Sequence, residues 1–166
     1  MSRRNAVPDI VQLIPPPPRP PHDWSQTESL LGFRYPPDFR DLVDAYGGGI
    51  FCDDIILLYP ESTPEGCAAY RELITDLAEH VIGTAEIWTP EHKYSAFPAS
   101  GGILPCVVNF ERDRVGWLMV GEPEDWPTFT SWGGAGYQVV PDTVTEVLLD
   151  WIKLYQDDPR FGFCPR

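Results

Sequence analysis

Acidic side chains are the residues of this sequence with the most evident chemical potential. They are grouped at four places: Asp53 with Asp54, Glu111 with Asp113, Glu122 with Glu124 and Asp125, and Asp157 with Asp158. Neighbouring carboxylates can hold a divalent cation or serve as general acid and base. None of the groups has the spacing of a known calcium loop, which favours solvated loop charges or charges complementary to a basic partner. A hydrolase that uses Asp53 and Asp54 is retained as an alternative.

Other patterns typical of enzymes are incomplete. Ser95 and Ser100 lie near His92, but no Gly-x-Ser-x-Gly elbow or cysteine–histidine signature accompanies them. The glycine run 47–49 follows a predicted helix and precedes a predicted strand, whereas a phosphate-binding loop follows a strand and opens a helix with a lysine. The sequence therefore predicts a protein that is not an enzyme and has no cofactor.

Cysteine and histidine residues show no metal-binding pattern. The residues are Cys52, Cys67, Cys106, Cys164, His22, His80 and His92. No two cysteines form a paired motif, and no histidine stands at ligand spacing from them. Reduced thiols and no zinc site are predicted. No uninterrupted apolar segment resembles a secretory signal or a membrane span, so a cytoplasmic location is expected.

Composition and charge narrow the class of partner. The chain has 166 residues, 43% hydrophobic and 13% aromatic, which suits one domain with a buried core. The formal net charge is −13 and the pI is about 4.4. A polyanion is repelled by nucleic acid and acidic membranes and attracted to basic proteins. We expect a basic protein partner, no nucleic acid and no membrane. Acidity that only maintains solubility is the alternative.

Apolar periodicity predicts four helices and an antiparallel sheet. The helices are expected over residues 24–31, 36–46, 63–82 and 142–156, and the strands over 55–58, 103–110, 115–120, 128–132 and 137–140. Gly32 and Gly83 are expected to end the first and third helices, and Ser62 and Glu65 have capping-box spacing.

The predicted fold class is α+β. It is a single domain over residues 23–156 with a sheet of about four to six strands, flanked by N-terminal, middle and C-terminal helices. Residues 1–22, with a proline run, are predicted to be a disordered or extended tail. Residues 157–166 are predicted to be a C-terminal tail.

A series of short motifs runs through residues 23–155 in a fixed order. They are Trp24, Glu28, Leu31-Gly32, Tyr35-Pro36, Asp38-Phe39, Tyr46-Gly47-Gly48-Gly49, Pro60, Phe97-Pro98-Ala99-Ser100-Gly101-Gly102-Ile103-Leu104-Pro105, Trp117, Glu122-Pro123 and Trp126-Pro127. This order resembles the SUKH superfamily, the domain shared by a fungal cell-wall-synthesis regulator and many bacterial toxin-immunity proteins. Two places depart from the family pattern. Tyr35 replaces a leucine, and the turn 111–114 replaces an Asn-Gly turn.

The resemblance implies an immunity protein that binds a cognate toxin, such as a basic nuclease, and blocks its active site without catalysis. The predicted partner-binding residues are Glu122, Glu124, Asp125, Trp126, Asp53, Asp54, Glu111 and Asp113. Loop 122–126 is preferred, because an aromatic anchor inside a charged rim is typical of binding hot spots. The strand half is rich in further aromatic residues, and the sequence does not decide which of them face outward: Trp88, Tyr94, Trp117, Phe129, Trp132 and Tyr137. The alternative is a regulatory scaffold that uses the proline-rich tail and the acidic face.

Overall fold

The computed structural model describes residues 3–88, 91 and 94–166. The helices are α1 (Val7–Leu13), α2 (Trp24–Leu31), α3 (Pro37–Tyr46), α4 (Pro64–Trp88) and α5 (Val144–Lys153). The strands are β1 (Gly49–Phe51), β2 (Ile55–Leu57), β3 (Ile103–Asn109), β4 (Arg114–Leu118), β5 (Thr128–Ser131), β6 (Gln138–Val140) and β7 (Phe163–Pro165). The predicted α+β class with one antiparallel sheet is confirmed. Within the described residues the sheet has seven strands rather than four to six.

The strands are arranged mainly as a meander. Their order across the sheet is β6-β5-β4-β3-β2-β1-β7, and every neighbouring pair is antiparallel. Strands β1 to β6 therefore follow one another in space as they do in the chain, while β7 returns from much later in the sequence to pair with β1. The predicted hairpin of β3 and β4 is confirmed, with a register shift between Pro105 and Val107.

Helices pack on the sheet through aromatic and aliphatic side chains. Phe39 of α3 packs edge-to-face on Trp117 of β4, with ring centroids 5.1 Å apart. Helices α1, α3 and α5 contact one another, and α5 contacts β4. Helix α4 packs along β3, and its Tyr70 lines a cavity with Ile56 of β2. Successive residues of a strand face opposite sides of the sheet, and residues 103–107 are all buried. The core therefore extends to both sides of β3.

Local sequence signals explain the ends of three helices. Gly32 follows α2 with φ of 82°, a left-handed conformation that favours glycine. Pro37 lies in the first turn of α3, where proline costs no hydrogen bond. Thr143 and Glu146 form a capping box at the start of α5. The predictions of α2, α3 and α5 are confirmed, with small differences at their ends.

The tail predicted over residues 1–22 is wrong for its first half. Helix α1 and its flanks bury Ala6, Val7, Ile10 and Ile14 in the core. The amide of Ala6 donates a hydrogen bond to Thr145 Oγ1 at 3.1 Å. The domain therefore begins well before residue 23, because the apolar residues that precede the proline run complete the core.

The predicted C-terminal tail also belongs to the fold. Phe163 of β7 pairs with Phe51 of β1, and its ring lies 4.9 Å from that of Tyr46. Residues 163–165 therefore extend the sheet by one strand instead of forming a loose end.

The predicted start of the middle helix is confirmed to within one residue, but its capping residue and its C-terminal limit are wrong. The cap is the hydroxyl of Thr63, which accepts a hydrogen bond from the amide of Gly66 at 3.1 Å, and not Ser62. Helix α4 continues through Gly83 to Trp88. A single glycine costs a helix only about 1 kcal/mol, and buried Val81 and Ala85 hold this segment to the core on either side of it.

Candidate functional site

The meander brings three chain reversals to the same end of the sheet. They are the β1–β2 turn at 52–54, the β3–β4 turn at 110–113 and the β5–β6 loop at 132–137. The register fixes this arrangement, because Ile55 pairs with Asn109 and Arg114 pairs with Ser131. We refer to the surface formed there by Asp53, Asp54, Phe110, Glu111, Asp113, Trp132 and Leu154 as the acidic end surface. Four of the eight predicted partner-binding residues belong to it.

Asp54 is the buried carboxylate of the acidic end surface, with 8% of the residue exposed. Its Oδ1 accepts a hydrogen bond from the amide of Phe110 at 3.1 Å, and its Oδ2 accepts one from the hydroxyl of Tyr155. The hydrogen bond to Asp54, followed by burial, raises the pKa of Tyr155 to about 12. Asp54 thus joins the β1–β2 turn to the β3–β4 turn and to the segment after α5. Asp53, beside it, is exposed and has φ of 53°.

Asp113 organises the β3–β4 turn. Its Oδ2 accepts a hydrogen bond from Asn109 Nδ2 at 3.1 Å, and its Oδ1 accepts one from the amide of Gly133 at 2.9 Å. Its own amide donates to Asn109 Oδ1 at 2.8 Å. These side-chain hydrogen bonds hold the turn, and Arg112 takes a positive φ of 70° within it.

Three large apolar side chains stand exposed around these carboxylates. The exposed fraction is 64% for Phe110, 48% for Trp132 and 82% for Leu154. Trp132 and Leu154 line a cavity of about 190 Å³ together with Asp54, Ile55, Asn109, Glu111, Asp113, Trp151 and Tyr155. Exposed aromatic groups that adjoin charged ones are typical of protein-binding surfaces.

Arginine side chains reduce the negative charge at this end without reversing it. Arg112 lies in the turn, and the buried Arg114 donates from Nη1 to the Arg112 carbonyl at 2.9 Å. Arg160 pairs with Asp158 at 2.9 Å, and these two charges offset each other. Within the described residues, neither Arg112 nor Arg114 forms an ion pair. Four carboxylates therefore stand against two guanidinium groups, and the end stays acidic.

The preferred loop 122–126 lies at the other end of the sheet, between β4 and β5. Trp126 is only 3% exposed, and its Nε1 donates to the carbonyl of Gly121 at 3.1 Å. Its ring packs near Trp117 and Phe33. The prediction of Trp126 as a partner-binding anchor is therefore wrong, because the side chain is part of the core.

The acidic residues of that loop are exposed but lie apart from the acidic end surface. Glu122 pairs at 3.7 Å with Arg34, and both side chains are largely solvated. Glu124 and Asp125 border a cavity of about 430 Å³ whose other walls include Arg3, Arg4 and Asn5. Arg3 and Arg4 offset two of the three acidic residues that line this cavity, which are Asp38, Glu124 and Asp125. The predicted role of the loop's acidic residues in partner binding stays a prediction.

The proline-rich segment is docked on the body of the protein rather than free. Before it, the hydroxyl of Tyr46 donates to the carbonyl of Ile14. After it, the ring of His22 lies 2.8 Å from the Tyr59 hydroxyl and 2.7 Å from Thr27 Oγ1. Burial, with the charge of Arg19, lowers the pKa of His22. A scaffold function through a free proline-rich tail therefore receives no support from this geometry.

The remaining candidate groups do not form a reactive centre in the part of the chain that the structure describes. Ser95 and Ser100 are exposed, and His92 lies outside the described residues. No group of three or more His, Cys, Asp or Glu side chains within residues 3–88, 91 and 94–166 is arranged to hold a metal ion. Burial raises the pKa of the Cys52, Cys67 and Cys106 thiols, whereas Cys164 is exposed.

Comparisons with known proteins found no relative of this chain. Neither the known protein families, nor the curated proteins, nor the solved structures contain a match to this chain. Among the described helices, none combines the length and the apolar character needed to cross a membrane.

The apolar half of the acidic end surface was not identified from the sequence. Trp132 is one of several aromatic candidates in the sequence, and Phe110 and Leu154 are not among the predicted binding residues. One signal was available for Phe110, because a residue that ends a strand at a tight turn is seldom covered by a helix. Leu154 follows the last buried residues of α5 and offered no comparable signal.

Proposed function

We propose that this chain is a cytoplasmic immunity protein that binds a cognate bacterial toxin domain and neutralises it by protein–protein contact, without catalysis. The acidic end surface is the observation that carries the proposal. It combines three exposed apolar side chains with four carboxylates on turns that are fixed by hydrogen bonds. The motif order that resembles the SUKH superfamily supports a toxin as the partner.

The proposed mechanism has two stages. The net charge of −13 draws a basic toxin, such as a nuclease that grips phosphates, towards the acidic protein. Phe110, Trp132 and Leu154 then enter apolar contacts that hold the complex. Because Asp54 and Asp113 fix the turns before binding, little conformational entropy is lost on docking.

Survival of cells provides the direct test of the proposed function. The chain is expressed beside the toxin gene that adjoins it in its genome, and the complex is purified. We expect growth to be rescued and a stable complex to be recovered. Lack of rescue, together with no detectable complex, would contradict the proposal.

Matched variants test whether the acidic end surface is the contact. Trp132→Ala is compared with Val120→Ala, which truncates a similarly exposed apolar side chain at the other end of the sheet. We expect Trp132→Ala to weaken toxin binding by about 2 kcal/mol or more, the magnitude of a binding hot spot. Val120→Ala should change it by less than about 0.5 kcal/mol. The reverse order would assign the contact to the other end.

Ionic strength tests the steering stage separately. Raising the salt concentration screens long-range charge interactions, so the association rate should fall about tenfold or more. The dissociation rate should change far less, because apolar contacts are not screened. Stopped-flow rates of association that are insensitive to salt would rule out steering.

A further inference from the structure

The cavity within the acidic end surface has the dimensions of a receptor for one side chain. Its volume is about 190 Å³, whereas sites for drug-sized ligands have about 300–1,000 Å³. Most of its lining is of two kinds. Apolar and aromatic area comes from Ile55, Trp132, Trp151, Leu154 and Tyr155, and carboxylates come from Asp54, Glu111 and Asp113. The amide side chain of Asn109 completes the lining.

The three carboxylates differ in how many hydrogen bonds they already accept from the protein. Asp54 and Asp113 each accept two hydrogen bonds from the chain itself. No hydrogen bond or ion pair to Glu111 occurs within the described residues, and its side chain is exposed. Each carboxylate oxygen has two lone pairs, so all three groups retain the capacity to accept from a bound donor. Glu111 is the one that is entirely available.

Within the protein, Arg160 shows how an arginine side chain binds between an aromatic ring and a carboxylate. The guanidinium of Arg160 lies 5.0 Å from the ring centroid of Tyr155, a residue that lines this cavity. The same guanidinium donates from Nε and Nη2 to the two carboxylate oxygens of Asp158, both at 2.9 Å. Here an aromatic face and a bidentate carboxylate hold an arginine, and the neighbouring cavity repeats the same two components.

We infer that this cavity is the receptor for a single arginine side chain of the basic partner, an inference that rests on the proposed function for the identity of that partner. The guanidinium lies against the Trp132 ring and donates to the Glu111 carboxylate, and the three methylene groups contact Ile55 and Leu154. Arginine is favoured over lysine because its planar group can stack on an aromatic ring and bind a carboxylate through two hydrogen bonds at once.

Three capped tripeptides of the form acetyl-Gly-Xaa-Gly-amide provide the probes, with arginine, lysine or citrulline at the centre. Citrulline has nearly the shape of arginine but no charge. Titrations are followed by the Trp132 indole and Glu111 amide signals in ¹H–¹⁵N spectra. We expect the arginine peptide to shift both signals, and the lysine and citrulline peptides to bind about threefold and at least tenfold more weakly, respectively.

Two matched variants locate the site on the protein. Glu111→Gln should weaken binding of the arginine peptide about tenfold. Glu65→Gln, which changes another exposed carboxylate, in the first turn of α4 beyond the opposite end of β2, should leave it unchanged. Equal binding of the citrulline peptide, tighter binding of lysine, equal effects of the two variants, or no shift at millimolar peptide would each overturn the inference.

The outcome for the inference can be separated from that for the proposed function. A toxin that is neutralised through Trp132, together with no binding of the arginine peptide, would overturn the arginine receptor and leave the immunity function intact. Binding of the peptide at this cavity, with no toxin neutralised, would support the receptor and contradict the immunity function.

Discussion

Replacement of Ile10 by alanine tests whether α1 is an integral part of the domain. The Ile10 side chain is fully buried. Truncation removes three carbon groups, whose burial at about 0.8 kcal/mol each accounts for ~2.4 kcal/mol. The cavity left behind raises the loss of unfolding free energy towards the upper part of the ~2–5 kcal/mol range for such changes. In a chain of 166 residues, this corresponds to a melting temperature lower by roughly 5–20 °C.

Urea unfolding, followed by tryptophan fluorescence and circular dichroism, measures the change. The matched control is Gln12→Ala, which truncates an exposed side chain of the same helix and should alter the unfolding free energy by less than about 0.5 kcal/mol. The dependence of the free energy on urea should be unchanged in both variants. If the unfolding curves of the two variants coincide, α1 does not contribute to the core and the reasoning is refuted.

Deletion of residues 1–21 would remove this core packing. Such a deletion therefore does not isolate a role of the proline-rich segment.

Three further predictions concern buried and exposed polar groups. Arg114→Met should raise the unfolding free energy by about 1–3 kcal/mol, because the buried Nε of Arg114 has no hydrogen-bond partner in the described part of the chain; a loss of stability would contradict this. The raised pKa of Tyr155 means that its neutral form stabilises the fold, fully below about pH 10 and progressively less up to about pH 12. The drop in the urea midpoint between those pH values should therefore be smaller in Tyr155→Phe, and an unchanged drop would exclude this contribution. In the native protein, Ellman's reagent should modify Cys164 rapidly and the buried thiols only on unfolding, whereas fast reaction of all four would show that the core opens readily. The buried thiols are Cys52, Cys67 and Cys106.

Elements with strong local signals could be predicted from the sequence. Phe39, Leu42, Val43 and Tyr46 recur at helical spacing, and all four are buried in α3. The turn between β3 and β4 is also predicted to within one residue, because two apolar runs flank a charged tetrapeptide. In both cases the signal and the structure lie within the same short segment, so no distant contact was needed to decide the outcome.

Elements that depend on distant partners were missed. Val7 and Ile10 of α1 and the following Ile14 are apolar, but the adjacent proline run predicts an extended tail. Strand β7 has only three residues and exists because β1 offers an edge. The orientation of Trp126 follows from packing on Trp117 and could not be inferred from the composition of its loop.

The acidic residues of the candidate site could be predicted from the sequence, but its exposed apolar side chains could not. Acidic turns are visible in a sequence, so Asp53, Asp54, Glu111 and Asp113 were identified, and strand register then placed them at one end. Which large side chains stay uncovered depends on where the helices end. The exposure of these side chains depends on the whole set of tertiary contacts, and no single sequence motif predicts it.

Pairing of β1 with β7 also affects how the protein is made. The ribosome synthesises β1 (Gly49–Phe51) well before β7 (Phe163–Pro165), so the outer edge of β1 has no partner strand until β7 has been made. During that time the backbone groups of β1 are open to strand pairing with other nascent chains. Growth at lower temperature, or a chaperone that shields this edge, should therefore improve the yield of native protein.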